Sequence, residues 1–137
     1  MTKKLIKVVG AIIENQNNEI LCALRKKDGI LGNYWEFPGG KLEENEDIFQ
    51  CIKREIKEEL GIEFLILNNV IYSDDTYEYD NFIVQLFTVK GSIEKNLSPS
   101  SSDHDSIIWL KRENLLSLNW APADIPAVNS LVSECYN

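Results

Sequence analysis

Cysteine is scarce in this chain of 137 residues: Cys22, Cys51 and Cys135 are odd in number and far apart. No CxxC and no Cys/His pair at zinc spacing occurs, which excludes a disulfide scaffold or a zinc ribbon and points to a reducing, cytoplasmic setting. Long apolar runs are missing too. Residues 8–13 are interrupted by Gly10 and end in Glu14-Asn-Gln-Asn-Asn, too short for a signal-peptide core or for the ~20 apolar residues of a membrane span. Basic side chains are few: 14 Lys plus Arg against 22 Asp plus Glu give a formal charge of −8. That balance argues against a nucleic-acid polymer or a membrane surface as partner. An acidic protein can still take phosphates by recruiting cations. The rest of the composition, 44% hydrophobic and 26% charged, is that of a globular protein, and the length reads as a single domain over residues 1–137.

Residues 5–13 and 19–24 are β-branched or apolar runs separated by the turn-forming cluster at 15–18, and they read as a strand pair. Residues 26–32 read as a loop, and 35–40 as a short aromatic segment turned sharply by Pro38 and two glycines. From 45 to 60 the spacing becomes helical, with Gly61 at the C′ position. Residues 64–71 and 82–89 read as strands, with the acidic, aromatic stretch 73–80 between them. A Ser-rich polar loop follows at 98–105, then a short strand at 107–110. A weaker helical pattern spans 122–136, with its start after Pro126. Helices falling among strands predict an α/β fold in which helices cover a mixed sheet.

The informative segment is 46–61. At roughly 100° per residue, with Ile48 as zero, Ile52, Ile56, Phe49 and Leu60 span about 40–120°, a core-facing stripe. Lys53, Lys57 and Gln50 fall at about 140–200°, a solvated face. Glu55, Glu58 and Glu59 come out at roughly 340°, 280° and 20°, beside the apolar stripe or within it. Acids at i, i+3 and i+4 repel one another unless a cation neutralises them, and Arg54 alone cannot balance three. Mg²⁺ takes oxygen ligands and commonly bridges carboxylates to substrate phosphates, so the cluster reads as a metal site for a phosphorylated ligand. The bland alternative is a solvated acidic face paired to lysines. A Ca²⁺ buffer is a poor fit, because no EF-hand loop occurs.

Gly40, five residues, Glu46, seven residues, and then Arg54-Glu-Ile-Lys-Glu-Glu-Leu-Gly-Ile62 resemble the Nudix box at every fixed position. Arg25, Trp35-Glu-Phe-Pro-Gly-Gly-Lys-Leu-Glu43 and Asn119-Trp-Ala-Pro-Ala-Asp-Ile-Pro126 are similar to the MutT branch of that family. The resemblance implies a Nudix-like α/β/α sandwich with a mixed sheet, and a Mg²⁺-dependent enzyme, Mn²⁺ able to substitute. It would hydrolyse a nucleoside triphosphate to a monophosphate and pyrophosphate. Alternatives are a Nudix hydrolase of ADP-ribose or another nucleoside diphosphate derivative, and a nucleotide-binding Nudix sensor without turnover. A small nucleotide is the implied partner, and the chain would act as a monomer or homodimer.

The implied metal ligands are Glu55, Glu58, Glu59 and the Gly39 carbonyl. Arg54 would orient the glutamates, and Glu46, at roughly 160° on the helical spacing, would tie down the loop. Glu58 or Glu59 would be the catalytic base, with Asp105 behind them. His104, the one histidine, reads first as a solvated loop residue and second as a catalytic group. Arg25 would contact phosphate or base. Trp35, Phe37 and Tyr77 are candidate stacking partners or, equally, core.

Asp124 stands where MutT-type enzymes that cleanse oxidised guanine nucleotides carry an asparagine. An ionised aspartate only accepts hydrogen bonds, which favours the donor-rich edges of cytosine or guanine. The segment is most similar to the branch acting on CTP and modified deoxycytidine triphosphates such as 5-methyl-dCTP. A structural alternative is that Asp124 caps the last helix.

Overall fold

The computed structural model describes residues 2–63, 65–94, 101 and 103–136. Residues 98–100 and 102 of the expected polar loop, and Phe64 at the start of an expected strand, lie outside the described residues. The strands are β1 (Lys4–Glu14), β2 (Glu19–Arg25), β3 (Trp35–Glu36), β4 (Gly39–Lys41), β5 (Ile66–Glu78), β6 (Phe82–Ser92) and β7 (His104–Lys111). Two helices, α1 (Ile48–Leu60) and α2 (Ile125–Ser133), interrupt them, with 3-10 turns at Arg112–Ser117 and Pro122–Asp124.

The strands form one mixed sheet in the order β3-β2-β1-β6-β5, with β4 also paired to β1 and β7 to β2. The expected hairpin forms at its turn, where Asn15 Oδ1 accepts the Asn17 and Glu19 amides at 2.9 and 3.0 Å. Its strands then part: β1 meets β2 only at Glu14↔Ile20. β1 runs parallel to β6 from Lys4↔Phe82 to Glu14↔Ser92, and β2 runs antiparallel to β7. Helices cover both faces because β1 is apolar on both, which is the α/β/α sandwich. Val9, Ala11 and Ile13 pack with Ile52, Ile56 and Leu60 of α1, while Ile12 packs with Ala127, Val128 and Leu131 of α2. This is the two-residue alternation of a strand buried on both sides.

α1 starts where its caps dictate. The Asp47 carboxylate accepts the Gln50 amide at 2.8 Å, and the Gln50 side chain accepts the Asp47 amide at 2.9 Å, a reciprocal capping box. Gly61 closes the helix at φ +69°, a left-handed conformation that costs glycine little.

Three expectations are corrected. The acidic stretch 73–80 is not a connection: β5 continues to Glu78, because pairing with β6, including Gln85 Nε2 to Asp74 Oδ1 at 2.9 Å, outweighs the poor strand propensity of aspartate. α2 begins at Ile125, before Pro126, since a proline in the first helical turn loses no intrahelical bond. The strand expected at 107–110 extends back to His104. No helix among the described residues is long and apolar enough to cross a membrane.

Candidate active site

The site lies where the loop leaving β4 meets α1. Arg54 is its organiser: Nε and Nη2 donate to the two oxygens of Glu46 at 3.0 and 2.6 Å, a forked charge-assisted pair. The Arg54 hydrogen bond holds the Glu46 carboxyl down at about 2. Glu46 also accepts the Glu43 amide at 3.0 Å, so it ties down the loop as expected. The remaining nitrogen, Nη1, reaches Glu55 at 2.9 Å and Glu58 at 3.4 Å.

The three glutamates of α1 differ in setting. Glu58 is largely exposed, whereas the Glu55 side chain is only 16% exposed. Glu55 reaches the sheet because Gly40 has no side chain: a β-carbon there would sit 2.3 Å from the Glu55 carboxyl carbon. Glu59 Oε2 is buried with no hydrogen-bond partner among the described residues. Burial pushes its carboxyl up to about 7, opposed by His104 and reinforced by Glu55, Glu36 and Asp103.

A cavity of about 380 Å³ is lined by Gly39, Gly40 and Glu59 together with Phe37, Ala123 and Asp124. Arg25, Glu36, Tyr79 and His104 line it as well. Asp124 is buried, and its Oδ2 accepts the Phe37 amide at 3.1 Å. Burial raises its carboxyl well above the ordinary range, Glu36 adds to that shift, and the Phe37 bond and Arg25 oppose it. The segment bearing Asp124 is bolted to β3 by Trp35 N to Asn119 O and Ala121 N to Trp35 O, both 2.9 Å.

A family model described as the NUDIX domain matches residues 4–131. The chain belongs to the NUDIX domain family. It is 33% identical over 135 residues to the CTP pyrophosphohydrolase of Escherichia coli strain K12, covering 95% of this chain and 93% of that one. It is 30% identical over 137 residues to the 8-oxo-dGTP diphosphatase of Haemophilus influenzae, covering 100% and 98%. The solution structure of the Nudix hydrolase MutT from methicillin-resistant Staphylococcus aureus 252 is 47% identical, covers 97% of this chain and 99% of that one, and superposes with a TM-score of 0.76.

Nudix hydrolases use a divalent metal, and two observations here fit one. Glu59 has a buried carboxylate oxygen without a partner among the described residues, the state a cation relieves. Gly40 leaves a cradle that the Glu55 carboxylate fills. The donors are hard oxygens, suited to a cation of that kind. The three acids do not converge by themselves, however: among the described residues no three His, Cys, Asp or Glu side chains gather closely enough to ligate one ion. Like charges on one helix face spread apart, and Arg54 draws Glu55 and Glu58 to itself.

In the rest of this Nudix pocket the structure rearranges the expected cast. Phe37 lines the cavity and also belongs to the core, its ring centroid 4.8 Å from that of Trp120. Tyr77 is 43% exposed and lies off the cavity. Its neighbour Tyr79 takes the wall, accepting the Ala123 amide on its hydroxyl at 3.1 Å. Asp105 is exposed and accepts the Lys27 amide at 2.9 Å, away from the cavity. Asp124 occupies the N-cap position of α2 but makes no side-chain capping bond. His104 is not a solvated loop residue: it opens β7, is 9% exposed and bonds Glu36 through Nε2 at 3.0 Å. Tyr79 and Glu36 are the site residues missed. The two-residue alternation that brings Tyr77 and Tyr79 to one face was hidden by reading 73–80 as a connection.

Proposed function

We propose that this chain is a Mg²⁺-dependent nucleoside triphosphate pyrophosphohydrolase, Mn²⁺ able to substitute, that releases a nucleoside monophosphate and pyrophosphate. Its substrate is a cytidine triphosphate such as CTP or 5-methyl-dCTP, or else 8-oxo-dGTP. One observation carries the reading: a single cavity is lined both by a buried carboxylate oxygen without a partner among the described residues, on Glu59, and by a buried hydrogen-bonding acid, Asp124. We read the first as serving metal and phosphates and the second as serving the base. The names of the curated relatives, a CTP pyrophosphohydrolase and an 8-oxo-dGTP diphosphatase, fit the same two substrates.

Glu55, Glu58, Glu59 and the Gly39 carbonyl would hold the metal. When bound, it neutralises phosphate charge and lowers the pKa of a bound water. Arg54, anchored on Glu46, steers Glu55 and Glu58 without touching substrate. The proton of the attacking water goes to whichever of Glu58 and Glu59 the metal leaves free. Asp105, which lies off the cavity with its carboxylate on the Lys27 amide, is not placed for that role. Arg25 supplies guanidinium donors to the nucleotide, and Tyr79 and Phe37 supply the apolar wall.

Asp124 reads the base. Burial favours its protonated form, which carries one O–H donor besides its acceptors, much as an asparagine amide does. With Oδ2 engaged by the Phe37 amide, the second oxygen can give or take a hydrogen bond. Such a group accommodates both cytosine and 8-oxoguanine, beyond the donor-rich edges an ionised aspartate prefers. The chain acts as one domain over residues 1–137, as a monomer or homodimer in the cytoplasm, on a free nucleotide.

The test is product-resolved turnover with Mg²⁺ on CTP, dCTP, 5-methyl-dCTP, 8-oxo-dGTP, dGTP, dTTP and ADP-ribose, compared as kcat/KM. The expected leaders are cytidine and 8-oxoguanine triphosphates, yielding pyrophosphate. A lead for ADP-ribose or dTTP would overturn the pocket reading, and the absence of metal-dependent turnover would leave a binding module.

A further inference from the structure

Three polar side chains, Ser101, His104 and Glu36, form a hydrogen-bonded chain, the last two of them lining the cavity. The Asp103 amide donates to Ser101 Oγ at 3.0 Å, and the same hydroxyl lies 3.1 Å from Nδ1 of His104, within hydrogen-bond distance. On its other side His104 meets a group that, ionised, only accepts: Nε2 lies 3.0 Å from Glu36 Oε2. A proton on Nε2 therefore satisfies the contact with Glu36. Glu36 Oε1 then accepts Nη1 of Arg25 at 2.7 Å, and Arg25 Nε donates to the Ile30 carbonyl at 2.8 Å.

The backbone is shaped for this contact. A register shift between Leu24 and Arg25 sets Arg25 opposite His104 across β2 and β7, the kind of bulge that re-aims a side chain. The members are substantially shielded, His104 at 4% side-chain exposure and Glu36 at 21%. A clamp of purely structural use has no need to end on a cation facing a cavity. This one ends on Arg25, whose Nη2 makes no hydrogen bond among the described residues.

We propose that Ser101, His104 and Glu36 form a strut that aims the Arg25 guanidinium at the bound nucleotide, so that Glu36 and His104 are positioning residues for substrate binding. The inference rests on the reading of this cavity as a nucleotide site. It gives β7 a role in the reaction through His104, with Glu36 acting through Arg25.

The test uses the full chain with CTP and 8-oxo-dGTP and Mg²⁺, and the variants Arg25→Ala, Glu36→Gln, His104→Ala, His104→Gln and the Arg25→Ala/Glu36→Gln double variant. Loss of a charge-assisted hydrogen bond predicts that Glu36→Gln and His104→Ala raise KM about tenfold, with kcat within about threefold of wild type. His104→Gln, which can still donate to Glu36, recovers most of that loss. In the double variant, Glu36→Gln adds nothing to the effect of Arg25→Ala, since one interaction cannot be removed twice. Unchanged KM in Glu36→Gln, or effects that multiply in the double variant, would overturn the strut. ¹⁵N NMR reads it without turnover: an Nε2–H tautomer for His104 and a slowly exchanging Arg25 Nε–H that speeds up in Glu36→Gln. If neither triphosphate is hydrolysed, the nucleotide reading fails while this readout still tests the strut, and a wild-type Nδ1–H tautomer would refute it.

Discussion

An alanine at position 40 would place a methyl group inside the Glu55 carboxylate. The new β-carbon would lie 2.3 Å from Cδ and 2.5 Å from each oxygen, against an ordinary contact of 3.4–4 Å. Strand β4 cannot yield, because Gly40 is paired with Val9 in the sheet and Leu42 N bonds Lys7 O at 3.0 Å. The Glu55 side chain must retreat instead, by roughly 1 Å. Overpacking of this kind costs about 1–3 kcal/mol of stability, so the protein should fold with a lowered Tm. Displacing a functional group by that distance costs on the order of 100-fold in rate, about 2.7 kcal/mol in the barrier. The assay is kcat on CTP across a Mg²⁺ titration, alongside thermal unfolding. Gly39→Ala is the contrasting variant: its β-carbon would strike the Val9 carbonyl oxygen of the neighbouring strand, a backbone atom with nowhere to go, and should abolish folding. A Gly40→Ala protein with wild-type kcat and Mg²⁺ dependence would refute the cradle.

The Glu59 carboxyl, raised by burial from an ordinary 4.5 to about 7, keeps its proton longer in the native state than in the unfolded one. Metal-free protein should therefore lose stability as pH rises from about 4.5 to 7, and Glu59→Gln should flatten that slope in melts taken with EDTA; equal slopes in the two proteins would sink the assignment. Glu58→Gln should lower kcat by orders of magnitude with little change in Tm, because its side chain is 60% exposed and its one bond is to Arg54. Turnover at the wild-type rate would remove Glu58 from the machinery. Asp124→Ala strands the buried Phe37 amide and should cost about 1–3 kcal/mol, whereas Asp124→Asn keeps an acceptor there and should stay within about 1 kcal/mol of wild type. Equal damage in chemical denaturation would contradict the Phe37 bond.

The placing of the three glutamates was legible in the sequence because one helix carries them, and a helix has a period. Placing side chains at even angular steps separates Ile52 and Ile56 from Lys53 and Lys57, and sets Glu59 beside the core, as the structure has it. Helix ends were legible from their chemistry, Gly61 above all. The base end was not, because it is assembled by pairings remote in sequence. Nothing local to His104 says that it faces Arg25 across two strands, since that register is set by the whole of β7 on β2. Asp124 looked like a helix cap because its neighbours are helical, and its carboxyl turns to an amide 87 residues away. Tyr77 and Tyr79 are two residues apart, and choosing between them requires knowing where β5 ends.

The two bonds that bolt residues 119–121 to Trp35 have a consequence for how such a protein can change. Everything proposed to ligate the metal comes from one continuous stretch, 39–59, whereas the base end is pooled from β2, β3, the β5–β6 turn and the segment before α2. The first is a cassette that can be transplanted whole. The second is a joint between separate pieces, held by Trp35, in which a single replacement shifts the fit without touching the hydrolytic apparatus. A library aimed at new nucleobases therefore belongs at 25, 36, 79 and 124, leaving the glutamate helix as it is.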